Sequence, residues 1–284
     1  MVNREHDFAL EGALTQSPKT PIYAYQFPGK PPTYPGATII AEKDRAIEIT
    51  WTNMVDGARD PFPTGHVLEY LVDTSLHIAH PDKGVPVVAH VHGGHTESAS
   101  DGLPEAWFTQ NWNETGKYFV KRKYHYDNDQ EAGTIWYHDH ALGITRLNVY
   151  AGLAGFYLIR DDNEYKLIDD GVIPGGSQEI EIAIQDRMFT DGKLLTLPLA
   201  DDPEECPLPD IGLDCDTPFP SPSIVAEFFG DHIVVNGKAW PKLAVGKGKY
   251  RFRLLNGSDS RFYVLQLRNT ATNGSITDGG DYPF

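Results

Sequence analysis

Short runs of alternating apolar and polar residues dominate this chain. Ile47, Ile49 and Trp51 alternate with Glu48 and Thr50, which is the period-two pattern of a strand with one buried face. Further strands are predicted over residues 86–91, 134–140, 153–159, 180–184, 233–235, 250–254 and 262–267. No amphipathic helix longer than about two turns is predicted, and residues 105–112 are the best candidate for a short one. The pattern therefore predicts an all-β chain of short strands, as in sandwiches and barrels.

Proline and glycine divide the chain into segments. Residues 1–35 are rich in proline and predict an extended N-terminal arm. An acidic, glycine-rich stretch then predicts an interdomain linker at residues 163–178. These boundaries place a first domain at residues 36–162 and a second at residues 179–284. The second domain contains only four or five predicted strands, so we expect it to be incomplete at its C-terminal end.

Charge and hydropathy exclude some partners. The 284 residues carry a formal net charge of −16, whereas nucleic acids and anionic membranes are bound through basic patches. No apolar run reaches the roughly 18 residues that span a bilayer, and no signal-peptide pattern is visible. We therefore expect a soluble chain, either cytoplasmic or the mature form of an exported protein, in an unknown compartment. Cys206 and Cys215 are open to a disulfide or to two free thiols.

Two histidine pairs carry the strongest chemical signal. His90 and His92 flank Val91, and His138 and His140 flank Asp139. In a strand, side chains two positions apart lie on the same face, so two adjacent strands would present four imidazoles together. Imidazole binds copper, zinc, iron and nickel, and two such pairs favour a metal site over isolated hydrogen-bonded histidines.

Other histidines have weaker signals, and so does the residue between the second pair. Asp139 faces the opposite side of its strand and is predicted to be a hydrogen-bonding residue behind the ligands. His95 follows a Gly-Gly turn, and its direction is not fixed by the pattern. The remaining candidates are predicted to be surface or hydrogen-bonded histidines, namely His66, His77, His80, His125 and His232.

These motifs resemble those of a known family. The segments that carry the resemblance are H-V-H-G at residues 90–93, P-E-A-W-F at 104–108, W-Y-H-D-H at 136–140, L-N-V-Y-A-G-L-A-G-F-Y-L-I-R-D at 147–161, D-R-M-F at 186–189, I-V-V-N-G-K-A-W-P at 233–241 and K-Y-R-F-R-L-L-N-G-S at 249–258. From about residue 20 onward, the chain resembles the multicopper oxidases, in the branch of bacterial spore-coat laccases, bilirubin oxidases and phenoxazinone synthases.

The resemblance implies cupredoxin-like Greek-key β-sandwich domains, one complete and a second incomplete in this chain. It also implies four coppers in the complete enzyme, which couples one-electron oxidation of phenolic, aromatic or metal-ion reductants to four-electron reduction of O2 to water. By the same resemblance, His90 would bind the type 2 copper, and His92, His138 and His140 would bind the type 3 pair. Asp101 matches an acidic residue that the family uses for proton delivery.

The chain departs from the family pattern in its ligand count. The family takes four further cluster histidines and the type 1 copper site from H-x-x-H-x-H and H-C-H motifs, and neither motif occurs in these 284 residues. We therefore expect a second polypeptide or fragment that carries those motifs. A truncated chain and a standalone copper-binding protein are the alternatives.

Two other function classes compete with an oxidase. A copper-binding module without turnover would use the same four histidines. A zinc or iron hydrolase would also use H-x-H pairs, but it is disfavoured because the helical H-E-x-x-H and H-x-x-E-H patterns are absent from the sequence. The reducing substrate and the redox potential cannot be assigned from these residues.

Overall fold

The computed structural model describes residues 1–10, 19–55, 66–68, 71–73, 76–190, 194–197 and 227–266. Within these ranges the strands are β1 (Val2–His6), β2 (Thr20–Ala24), β3 (Gly36–Glu42), β4 (Ile47–Thr50), β5 (Ala89–His92), β6 (Lys123–Tyr126), β7 (Gly133–Asp139), β8 (Ala154–Arg160), β9 (Glu179–Thr190), β10 (Leu194–Thr196), β11 (His232–Val235), β12 (Lys238–Ala239) and β13 (Arg251–Asn256). The helices are α1 (Thr145–Ala151) and α2 (Asp162–Asp169).

Strands β1 to β8 make up the part of the chain that we call the first region. A four-stranded sheet with the order β3-β8-β7-β5 lies at its centre. Strand β8 pairs in parallel with β3 and antiparallel with β7, and β7 pairs antiparallel with β5. Residues 154–159 of β8 are all buried. Their nearly continuous apolar run is typical of a strand that is covered on both faces. A two-stranded sheet of β4 and β6 completes this region.

The predicted N-terminal arm forms a pair of strands. Strands β1 and β2 run antiparallel, with Val2 opposite Ala24. Ile22, Tyr23 and Tyr25 are buried in the main hydrophobic cluster. The arm is thus joined to the core of the first region, although the domain boundary at residue 35 stays a prediction.

The second region is a sheet built on the long strand β9. This strand pairs antiparallel with β10 and β11 and in parallel with β13. The predicted hairpin turn joins β11 to β12, and both Asn236 and Gly237 have positive φ, at 47° and 80°. Asn-Gly is the preferred sequence for such a turn because both central residues adopt the left-handed region.

The helices and one strand differ from the sequence prediction. Helix α2 occupies the first half of the predicted linker, where the Asp161 carboxylate accepts a hydrogen bond from the Glu164 amide, 2.7 Å away, and so caps the helix. Residues 105–112 form two 3₁₀ turns, Pro104–Ala106 and Gln110–Trp112, in place of one helix. The predicted strand over 262–267 is wrong in its described part, since residues 261–266 are irregular. Neither α1 nor α2, the two helices in the described ranges, has the length and apolar character needed to cross a membrane.

A cluster of ion pairs joins the two regions. Arg160 of β8 lies 2.7 Å from the Glu179 carboxylate of β9, and Arg253 of β13 lies 2.6 Å from the same carboxylate. Glu164 of α2 also contacts Arg160 and Arg253. All four side chains are largely buried. Arg251 of β13 contacts both carboxylates as well. Each buried carboxylate therefore has three guanidinium partners, which offsets the cost of removing its charge from water.

Candidate metal centre

The pairing of β5 with β7 brings the four predicted histidines together, with His140 directly after the end of β7. His90 lies directly opposite His138, and His92 lies opposite Trp136. The ring centroids of His90 and His138 are 5.5 Å apart, and those of His92 and His138 are 5.4 Å apart. The His140 ring stacks on His90 at 4.6 Å. Antiparallel pairing therefore places both His-x-His motifs on one face of the sheet.

Backbone carbonyls fix the orientation of three of the imidazoles. The Nδ1 atom of His90 lies 2.6 Å from the Asp101 carbonyl oxygen, that of His138 lies 2.6 Å from the Asp139 carbonyl oxygen, and that of His140 lies 3.0 Å from the Gly102 carbonyl oxygen. A carbonyl oxygen only accepts, so each Nδ1 carries the proton in the neutral ring. Each Nε2 is then left with its lone pair for a metal ion.

The fourth imidazole presents its other nitrogen. The Nδ1 atom of His92 lies 3.1 Å from the Nε2 atom of His138. Two nitrogens bound at about 2.0–2.1 Å to one tetrahedral ion such as zinc lie roughly 3.3 Å apart, so this pair fits a single shared ion. Ligand atoms of His90, His92 and His138 all lie within 4.8 Å of one another.

Burial favours the neutral form of two of the imidazoles, those of His90 and His138. It lowers the pKa of His138 to about 4, although a hydrogen bond to the Asp139 carbonyl opposes this shift. Burial also lowers the pKa of His90, and the neighbouring His140 and His92 lower it further. Neutral imidazole is the form that binds metal, so His90 and His138 are ready to bind near neutral pH. The group of His90, His92 and His138 contains nitrogen ligands alone, which suits copper better than calcium or magnesium.

Comparison with known proteins agrees with this donor set. The multicopper oxidase family pattern matches residues 83–164, which include all four histidines. A laccase of Bacillus stratosphericus is 42% identical over 270 residues, which are 94% of this chain and 47% of that protein. A laccase of Bacillus subtilis is 39% identical and covers 88% of this chain and 45% of its own length. This chain belongs to the multicopper oxidase family.

The chain spans about half the length of these curated relatives and matches their N-terminal portion. Among solved structures, a multicopper oxidase of Aquifex aeolicus superposes with a TM-score of 0.58 at 22% identity, and covers 90% of this chain and 42% of that one. This likeness supports the fold and confirms the predicted all-β, cupredoxin-like class. The family cofactor is copper, and the imidazoles of this multicopper oxidase chain fit it.

One tight turn holds two of the imidazoles in this multicopper oxidase chain. Consecutive carbonyls of Asp101 and Gly102 accept from His90 and His140. Gly102 has a φ of +71°, and a Cβ atom there would lie 2.0 Å from the Ala89 carbonyl oxygen of β5. Only glycine fits this close approach. The turn also brings the Asp101 carboxylate to 3.4 Å from Nδ1 of His90, so Asp101 lies beside one of the four imidazoles.

Behind the imidazoles, Asp139 is buried and forms hydrogen bonds, as predicted. Its carboxylate accepts from the amides of Val88 and Ala141, 2.9 and 3.0 Å away, and from the side chain of Asn148 at 2.8 Å. Burial raises the pKa of Asp139 to about 7, although the three hydrogen bonds oppose this shift. Asn148 in turn contacts His66 at 2.8 Å. Sequence reasoning missed Asn148 and assigned no role to His66.

The other described histidines lie outside the cluster or are hydrogen-bonded. His95 is exposed and lies 3.3 Å from Asp129, so the structure does not bring it to the metal centre. His125 lies beside Asp127 and His232 beside Asp231, and Nε2 of His6 lies 2.7 Å from the Gly237 carbonyl oxygen. The question of a disulfide between Cys206 and Cys215 falls outside the described residues.

Proposed function

We propose that this chain supplies half of the oxygen-reducing copper site of a laccase-like oxidase. The complete enzyme would couple one-electron oxidation of a phenolic, aromatic or metal-ion reductant to four-electron reduction of O2 to water. The carrying observation is the convergence of four imidazoles, three from β5 and β7 and one from His140 directly after β7. Bound copper would supply the electron transfer, while the chain holds the ligands in place and excludes side reactions.

We assign His90 to the type 2 copper and His92, His138 and His140 to the type 3 pair. The assignment of His92 and His138 to one ion is supported by the 3.1 Å separation of their facing nitrogens. Asp101 is proposed to hold and deliver protons. Its carboxylate reaches His90 while 30% of its side chain stays exposed, so it contacts both the site and water, as a proton-transfer group requires.

We further propose that another polypeptide segment completes the centre. It would be either a C-terminal part of a longer chain or a separate partner, and it would carry the H-x-x-H-x-H and H-C-H motifs that these residues lack. Two observations support this proposal: the chain spans less than half of its laccase relatives, and Phe252 and Leu254 of β13 are exposed at 43% and 52%. Such an apolar sheet face is typical of a surface that another chain segment covers.

A copper-binding module without turnover is the second candidate. One observation favours it: the imidazoles converge within this chain, with their Nδ1 atoms already bound to its own carbonyls. A zinc or iron hydrolase has less support, since the metal-ligand group found among the described residues contains no carboxylate and such sites commonly use one.

The deciding experiment is the intact mass and copper content of natively purified material, measured under native and denaturing conditions. We expect the 284 residues together with the completing segment, and about four coppers per assembly, since the family has four copper sites. One copper on this chain alone would contradict the oxidase and favour the binding module, and no copper would contradict both. His138→Ala is the matched variant: it should lose copper from the type 3 pair and lose O2 reduction, with the circular dichroism spectrum unchanged. Full activity in that variant would refute the site assignment.

A further inference from the structure

His66 is a fully buried histidine outside the metal cluster, and its protonation is fixed by its neighbours. The backbone N–H of Leu68 donates to Nδ1 of His66 over 2.9 Å. In a neutral imidazole the nitrogen that accepts carries no proton, so the proton is on Nε2. This Nε2 lies 2.8 Å from Oδ1 of Asn148, 82 residues further along the chain.

The side-chain amide of Asn148 has one consistent orientation. Its Nδ2 atom lies 2.8 Å from a carboxylate oxygen of Asp139 and 3.0 Å from the Pro86 carbonyl oxygen. The Pro86 carbonyl oxygen can only accept, and so can the oxygen of an ionised carboxylate. The amide nitrogen of Asn148 therefore faces these two oxygens. The carbonyl oxygen of Asn148 therefore faces His66, which agrees with the proton position set by Leu68.

The hydrogen-bond network ends beside both strands that carry the His-x-His motifs, at Val88 just before β5 and at Ala141 just after β7. The Asp139 carboxylate accepts from the Val88 amide, two residues before His90, and from the Ala141 amide, one residue after His140. The three side chains of this hydrogen-bond network, those of His66, Asn148 and Asp139, are all buried. Water cannot readily replace a lost partner there, so the loss of one bond leaves the next group unsatisfied.

We infer that His66 is a positioning residue for the metal centre, acting through Asn148 and Asp139 on the strands that carry the four histidines. The inference rests on the proposed copper site and adds a residue to its support. His66 holds the Asn148 amide, the amide holds the carboxylate, and the carboxylate fixes the spacing of the two His-x-His segments. Burial lowers the pKa of His66 to about 4, which agrees with a neutral ring that donates from Nε2.

Two substitutions at this position separate the bond to Asn148 from general stability. Gln places an N–H near the position of Nε2 and keeps the donor to Asn148, whereas Asn places a carbonyl near Nδ1 and keeps the acceptor for Leu68. Each variant loses one buried hydrogen bond. His66→Gln and His66→Asn should therefore lower the midpoint of thermal unfolding by comparable amounts.

Only His66→Asn should change the metal centre. We expect the 284-residue chain to bind Cu(II) in competition with a chelator, and His66→Asn to bind it about tenfold more weakly with altered copper hyperfine splitting in the EPR spectrum, since loss of a supporting partner costs about 10–100-fold in affinity. His66→Gln should stay within about twofold of the parent. Asn148→Ser gives a second route if His66→Asn does not fold, and it should weaken Cu(II) binding at least tenfold.

The outcomes distinguish this inference from the proposed function. Equal Cu(II) affinities and spectra in both His66 variants would overturn the inference, whether the two match the parent or are weakened alike. Unchanged binding by Asn148→Ser would also overturn it. If the parent chain binds no Cu(II), or if His138→Ala binds it as tightly as the parent, the copper site itself is refuted and the inference fails with it.

Discussion

The two larger sheets of this chain, one in each region, differ in how completely their apolar side chains are buried. In the first region, strand β8 is buried at every position from residue 154 to residue 159. In the second, strand β13 buries Arg253 toward the ion-pair cluster and leaves Phe252 and Leu254 exposed on its other face. One sheet is thus covered by described parts of the chain, whereas the other presents an apolar face.

This contrast indicates which properties belong to the chain itself. The imidazoles of the first region are oriented by carbonyls of Asp101, Gly102 and Asp139. The orientation of these imidazoles is therefore set by residues of this chain. The described part of the second region differs, because the apolar face formed by Phe252 and Leu254 is exposed. Burial of that face would require contact with another polypeptide segment.

Matched leucine deletions test the contrast most strongly. Leu153, next to β8, is fully buried, whereas Leu254 of β13 is 52% exposed. Leu153→Ala should lower the free energy of unfolding by about 2–5 kcal/mol because it leaves a cavity. Leu254→Ala should change it by less than about 0.5 kcal/mol. Urea unfolding of the 284-residue chain measures both values, and equal losses would refute the comparison. If the proposed completing segment covers β13, Leu254→Ala should destabilise the complete assembly more than it destabilises this chain.

Acid should weaken the first region through His66. Burial lowers the pKa of His66 from its ordinary value of 6.5 to about 4, so the unfolded chain binds the proton more readily between these values. Stability from this residue is present above pH 6.5 and is lost as the pH falls toward 4. Between pH 7 and pH 5 the loss is about 2 kcal/mol. The metal-free His66→Gln variant should show a correspondingly smaller decrease in urea unfolding, and an unchanged pH profile would contradict the prediction.

Alanine substitution of one glycine in each region should give the smallest difference between the two regions. A Cβ atom at Gly102 would lie 2.0 Å from the Ala89 carbonyl oxygen, whereas one at Gly246 of the second region meets only the Tyr250 hydroxyl at 3.8 Å. Gly102→Ala should displace the turn that holds His90 and His140, and weaken Cu(II) binding about tenfold, which is about 1.4 kcal/mol. Gly246→Ala should leave the affinity unchanged. Equal Cu(II) affinities in a chelator competition would show that the turn does not position the ligands.

Periodicity predicted the sheet because its strands bury one or both faces. The apolar positions in β4 and β9 and the His-x-His spacing each follow from side-chain alternation. The two helices were missed for different reasons. Helix α1 has only seven residues, too few to show a helical period. Helix α2 was interpreted as a linker from its acidic composition, although Asp161 at its N-cap and Glu164 in its first turn were available signals.

The predicted ligands were found together because each pair is local in sequence and only one strand pairing was needed to join them. Asn148 and His66 lie at long range, and no period or motif marks a hydrogen bond across 82 residues. The strand predicted at Phe262 failed because alternation alone does not supply a partner strand, and no described strand pairs with residues 261–266.

The parallel pairing of β3 with β8 has a consequence for biosynthesis. Ile40 pairs with Leu158, 118 residues further along the chain. At a translation rate of roughly 5–20 residues per second, β3 waits about 6–24 s on the ribosome before its partner is made. During that interval its unpaired edge and its isoleucines are open to other nascent chains. Slowed translation between these strands should therefore increase aggregation of the newly made chain and its demand for chaperones, without any change in the folded protein.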